Sequence, residues 1–299
     1  MSQLNNNRRM TTAQVANPHL TKILERLVDL SAKNYYNPYQ EFVWPEKISA
    51  SEYWMSPELM SVYGTPYMDE LSESQFVQLS KWECVNFFSI NVHGIRGLLQ
   101  AVIQCVHMPG FEASSEYFHH FIGEENEHMW FFAQFCLRYG GKIYQNKGLK
   151  HGQFGEADIE HFLSFARILI FEEMGDFYNV RMRDDERLHP IIRQISRVHH
   201  QDESRHLAMG REIVKVLHGE LHRKYPLERL QEVASYLKGY MKASIESLYN
   251  PAVYRDAGIE AAYELRRRLL SDAARQSFHE RVLSRTVNFF ERNQIFVWG

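Results

Sequence analysis

Apolar positions along this chain recur at helical spacing, and no stretch of useful length alternates as a strand would. In residues 19–30, Leu20, Ile23, Leu24, Leu27 and Leu30 form one helical stripe. Four longer amphipathic stretches follow, at about 72–107, 113–139, 157–184 and 190–218. Ser72 or Ser74 can cap the first, which ends before Pro109-Gly110, and the second stops at Gly140-Gly141. Pro190 stands where a first helical turn tolerates proline. Two further helices are expected near 226–248 and 258–290, on either side of Asn250-Pro251. Residues 31–70 carry Pro38, Pro45, Pro57 and Pro66 among many aromatics, and read as irregular chain that wraps a bundle or walls a pocket. Residues 1–16 are polar and expected to be disordered. Glycines at 140, 141, 148, 152 and 155 mark the segment 140–156 as a linker between two helix pairs. The expected fold is all-α: a four-helix core, about 72–218, with additional N- and C-terminal helices, in one domain spanning 17–299.

Polar residues interrupt the apolar faces at telling places. The second and fourth stretches each carry Glu-x-x-His, as Glu125/His128 and Glu203/His206. Positions i and i+3 share a helix face, so each pair can bind one metal. His199, four positions before Glu203, joins that face. The first and third stretches each add a glutamate among apolar neighbours, Glu83 and Glu172. Helix phase favours Glu172 over the adjacent Glu173, which stays the competing position. Four carboxylates on core faces would repel one another, and desolvating each costs several kcal/mol or more. Two multivalent cations offset that cost. Oxygen-rich donor sets with a few imidazoles suit iron or manganese, and a glutamate on two helices with Glu-x-x-His on two others is the di-iron or di-manganese bundle pattern. The expected metal ligands are thus Glu83, Glu125, His128, Glu172, His199, Glu203 and His206. Asp202, and Glu124 at the matching place in the second stretch, are expected to orient the histidines. His200, His119, His120 and His161 read as ordinary polar residues. Phe87, Phe88, Phe121 and Phe131 either line an apolar pocket or simply pack the core.

Composition narrows the alternatives. A net charge of −3 with scattered Lys and Arg makes no case for nucleic acid or an anionic membrane surface. Arg266-Arg267-Arg268 reads as a solvated helix face. Cys84, Cys105 and Cys136 lack paired spacing and read as buried thiols of a reducing compartment. No stretch has the ~20 apolar residues of a membrane helix, and the N-terminus has no apolar core of a signal peptide. The expected location is cytoplasmic.

Glu83, Glu124-Glu-Asn-Glu-His128, Glu172 and His199-x-x-Asp202-Glu-Ser-Arg-His206 together resemble the ferritin-like di-iron N-oxygenases typified by p-aminobenzoate N-oxygenase and the related arylamine oxygenases. The separation of Glu172 from Asp202 is one that the family pattern allows. The family's additional histidine ligand falls on His199, and Ser56–Pro66 also looks like the family. The likeness runs from about residue 45 to 215. Two features depart from it. Glu124 and Glu127 stand where a strict Asp-Glu-x-Arg-His repeat would have Asp and Arg, and the stretch between Glu83 and Glu124 is long.

The resemblance implies a ferritin-like bundle holding two iron ions, with manganese an open alternative and O2 as co-substrate. It implies oxidation of a primary amine to hydroxylamine, nitroso or nitro product in a biosynthetic setting. The expected partners are the small-molecule amine and an external electron donor, with the oligomeric state open and a homodimer one option. Competing readings are a di-iron hydroxylase or desaturase acting on C–H bonds, and a ferritin-like iron-storage protein.

Overall fold

The computed structural model describes residues 17–145 and 154–296. The expected disordered segment 1–16 lies outside these residues, as does 146–153 of the glycine-rich linker. Nine helices longer than one turn are present among the described residues: α1 (Pro18–Lys33), α2 (Glu73–Ile103), α3 (Glu112–Phe135), α4 (Ala157–Met182), α5 (Pro190–Lys224), α6 (Leu227–Leu248), α7 (Pro251–Asp256), α8 (Ala262–Ser271) and α9 (Ala273–Arg292). No strand forms there; Tyr53 and Leu188 make one isolated β-bridge.

α2 packs with α3 and α4 with α5, each pair joined by a short connection and therefore antiparallel. A single long crossover links the pairs, so the core is a ferritin-like four-helix bundle. α1 lies against α3 and α5, α6 against α4 and α2, and α9 against α4.

Local chemistry sets the boundaries. Ser72 and Gln75 form a reciprocal capping box at the start of α2. α3 ends in one π turn, Cys136–Gly140, closed by Gly141 in the left-handed region at φ 67°. α5 opens on Pro190, with the His189 ring accepting from the Ile191 N–H, and runs to Lys224, past the expected end at 218. The stretch expected as one helix over 258–290 is two, because Asp272 ends α8 and caps α9 through the Ala274 and Arg275 N–H groups.

Residues 31–70 wrap the bundle with single helical turns at Pro38–Glu41, Pro57–Leu59 and Pro66–Asp69. Phe87, Phe88, Phe121 and Phe131 are sealed in the core: Phe87 stacks on Tyr178 and Phe88 meets Phe132 and Phe135. None of the four lines the large cavity described below. The three cysteines are free and buried. Arg267 and Arg268 pair with Glu264 on an exposed face, whereas Arg266 reaches Glu246 and the Tyr249 carbonyl. No described helix is long and apolar enough to cross a membrane.

Candidate metal centre

Three of the four core helices aim polar side chains at one point inside the bundle. Glu125 and His128 come from α3, Glu172 from α4, and His199, Glu203 and His206 from α5. Their donor atoms form two groups, Glu125/His128/Glu203/His206 and Glu172/His199/Glu203, each with all atoms within 4.8 Å of one another. Glu203 belongs to both. Its Oε1 stands 2.9 Å from His199 Nε2 and 3.4 Å from His206 Nδ1, while Glu125 Oε1 is 2.7 Å from His206 Nδ1 and 3.3 Å from His128 Nδ1.

All six side chains are buried, yet both oxygens of Glu125, Glu172 and Glu203 lack a hydrogen-bond partner, as do His128 Nδ1, His199 Nε2 and His206 Nδ1. Buried polar atoms are ordinarily paired. Here the carboxylate oxygens and imidazole nitrogens crowd to 2.7–3.4 Å of one another around shared space without hydrogen-bond geometry. Three carboxylates and three imidazoles in two adjoining groups form a donor set that fits two first-row transition metal ions.

The electrostatics fit the same account. Burial, reinforced by Glu203 and Glu125, pushes the Glu172 carboxyl well above the usual range. Burial opposes charge on Glu203 too, but His199 and His206 outweigh it and hold that carboxyl well below its usual range. Burial alone would lower His128, and Glu125 and Asp202 bring it up to about 10. Cations would take over the charge compensation now supplied by protons.

The outer nitrogens are held across the bundle. His128 Nε2 donates to Asp202 of α5 at 3.0 Å, and His206 Nε2 donates to Glu124 of α3 at 2.7 Å. These bonds leave each Nδ1 free to face the centre. Arg205 joins the two braces, donating to Glu124 at 2.7 Å, to Asp202 at 2.6 Å and to Ser31 of α1 at 2.9 Å. His199 Nδ1 rests on the Asn179 amide. The sequence pointed to Asp202 and Glu124 but not to the exchange of partners between helices, nor to Asn179. Only a three-dimensional arrangement reveals either.

Glu173, the neighbour of Glu172, turns away and pairs with Arg211. His200 pairs with Asp176 instead of standing free in solvent.

Glu83 does not join the centre. Its carboxylate accepts from the Ser61 N–H at 2.9 Å and from the Ser61 hydroxyl. Burial pushes it up to about 7 against the opposing pull of Ser61 and Arg275. Glu83 lies between five and six turns before the end of α2, whereas Glu125 lies between three and four turns into α3. In an antiparallel hairpin that places the two at heights about 10 Å apart, at ~5.4 Å per turn. The spacing of apolar residues marks Glu83 as inward-facing but carries no information on its height.

A cavity of about 670 Å³ lies among α2, α4 and α6. Ile90 and Gly94 of α2, with Ile168, Phe171 and Met174 of α4, form part of its wall, and Arg167 adds a cation. The wall residues flank Glu172 in sequence. A Cβ on Gly94 would collide with the Phe171 ring, so the ring occupies the space this glycine leaves open.

Residues 17–293 match the family described as P-aminobenzoate N-oxygenase AurF. Uncharacterized proteins of Mycobacterium bovis and Mycobacterium tuberculosis are 22% identical over 249 residues, covering 78% of this chain and 69% of theirs. Among solved structures, two mutants of an R2-like ligand-binding oxidase, aerobically or anaerobically reconstituted with a Mn/Fe cofactor, superpose with TM-scores of 0.44 and 0.46 at 16% identity. They cover 89% and 94% of this chain and 94% of theirs. With a bundle that gathers two Glu-x-x-His pairs, Glu172 and His199 at one buried point, and a match over nearly its whole length, this chain belongs to the p-aminobenzoate N-oxygenase AurF family.

Proposed function

We propose that this protein is an O2-dependent di-iron oxygenase that oxidises the nitrogen of a primary amine to a hydroxylamine, nitroso or nitro product. The observation that carries the reading is Glu203 shared between two groups of buried, unpartnered donors, in a chain of this family. Glu125, His128, Glu172, His199, Glu203 and His206 would hold the two ions, which in their reduced state supply electrons to O2. The chain's own part is to position and to exclude water. Asp202 and Glu124 fix the imidazole tautomers, and Arg205 bridges both carboxylates, offsetting part of their charge. Phe121 and Phe132, packed on His206 and His199, keep that side dry.

The cavity among α2, α4 and α6 is of a size that takes a small organic molecule, with Ile168, Phe171 and Met174 for an apolar wall and Arg167 for a polar end. Each N-oxygenation places one oxygen atom of O2 on nitrogen and releases the other as water. That step, on the amine and again on the nitroso group, draws two electrons and two protons that an external donor would supply, whereas hydroxylamine to nitroso inserts no oxygen and gives up two electrons and two protons.

The test is anaerobic loading with iron, then exposure to 18O2 with aryl and alkyl amines, followed by mass spectrometry. Label on nitrogen supports the proposal. Label on carbon, with amines untouched, would replace it with C–H hydroxylation while leaving the di-iron reading intact.

A further inference from the structure

The proposed centre draws donors from α3, α4 and α5 and none, as yet, from α2. We infer that Asn91 supplies the α2 donor through its amide Oδ1, giving a centre of three carboxylates, three imidazoles and one neutral oxygen. This inference rests on the di-metal reading above.

Asn91 stands at the right height in the bundle. It lies just over three turns before the end of α2, level with Glu125, which lies between three and four turns into α3. The second pair has nearly the same arrangement, with Glu172 just under three turns before the end of α4 and Glu203 between three and four turns into α5. Asn91 is therefore the α2 counterpart of Glu172.

Its side chain also presents a free acceptor on the correct side. Asn91 is 1% exposed. Its Nδ2 donates to the Phe87 carbonyl at 2.8 Å, which fixes which way the amide faces. Oδ1 is left without a partner. It points into the space over Gly175, 3.6 Å from where a Cβ would stand, and His199 Cε1 is 4.0 Å from the same point. The glycine, less than one turn beyond Glu172, thus opens a gap into which the amide oxygen and the His199 ring both face. A buried acceptor with no donor is costly, and a hard cation would remove that cost, because amide oxygen is an ordinary ligand for such ions. A neutral donor where a carboxylate could stand leaves the metal pair one unit more positive, which favours its reduced state.

Asn91→Leu and Asn91→Asp test this, with metal content, chelator-competition affinity and reduction potential as readouts alongside apo-protein melting. Leucine should leave apo melting unchanged or higher, since no orphaned acceptor remains, while one metal binds about ten-fold more weakly or worse. Aspartate should keep two metals and lower the potential. Leucine retaining both sites at wild-type affinity overturns the inference; if that variant does not fold, an aspartate variant with unaltered affinity and potential overturns it equally. Failure of the wild-type chain to take up two metals would instead remove the di-metal reading, and this inference with it.

Discussion

Asp202 on α5 accepts a hydrogen bond from His128 on α3, while the return bond runs from His206 on α5 to Glu124 on α3. Each helix orients the imidazole of the other. Asp202→Leu and Glu124→Leu should each lower metal affinity about 10–100-fold, the usual cost of losing such a brace. Chelator competition on the two variants checks this; a change below about two-fold would contradict it.

Arg205 lies between these two carboxylates and is itself buried. Arg205→Met should destabilise the apo protein by about 3–5 kcal/mol, because two buried carboxylates then lose their shared cation. Urea unfolding measures it. A loss below about 1 kcal/mol would mean that solvent reaches the network.

Glu172 and Glu173 make a contrasting pair. Glu172→Gln relieves repulsion with Glu203 and Glu125, so the apo protein should melt no lower, yet metal content should fall. Glu173→Ala leaves Arg211 without its partner and should cost roughly 0.5–3 kcal/mol with metal content unchanged. Elemental analysis with thermal melting separates them, and the opposite pattern would move the ligand to position 173.

Glu83 gives the pH test. Its carboxyl is pushed up to about 7 in the folded protein, from a reference of 4.5. Between those values the folded state holds more protons than the unfolded one, so this group's stabilising contribution is complete below about pH 4.5 and is lost as pH rises through 7. The fall amounts to about 3 kcal/mol at ~1.4 kcal/mol per pH unit. Glu83→Gln should flatten that part of the apo protein's profile, read from urea midpoints on the acid and alkaline sides of that window. An unchanged slope would show that the Ser61 bonds keep the carboxylate charged.

Gly94→Ala should force the Phe171 ring toward the cavity, because the new Cβ has no room where the ring now lies. A cost of about 1–3 kcal/mol is expected from overpacking. Restored melting in Gly94→Ala/Phe171→Leu would assign the cost to that contact, and no rescue would assign it to the helix itself.

The bundle was legible because its signals are local and repeated. Glu125/His128 and Glu203/His206 announce their helix faces by spacing, and Pro190 and Gly140-Gly141 announce ends. What was not legible depended on height and on partners remote in sequence. Glu83 has the right chemistry and stands among apolar residues, but Ser61, on the irregular segment ahead of α2, takes its hydrogen bonds. Asp272 split the last helix because a good cap can end one helix and begin another within a single position. Phe87, Phe88, Phe121 and Phe131 fill the core, and the cavity formed elsewhere, where α6 packs beside α2 and α4. That docking is not encoded in any short motif.

The division of donors between the two hairpins has a consequence for motion. The α2–α3 hairpin carries Glu125 and His128; the α4–α5 hairpin carries Glu172, His199, Glu203 and His206. Neither can assemble both groups alone. Each hairpin can form from contacts close in sequence, leaving their mutual docking as the late event. In the apo chain that docking is opposed by crowded carboxylates, so the seam between hairpins is the natural place for local opening. Loaded metal binds only the docked state and holds it shut by mass action. Amide hydrogens in the middle of α3 and α5 should then exchange far more slowly once metal is present, while those of the surrounding α7 and α8 barely notice.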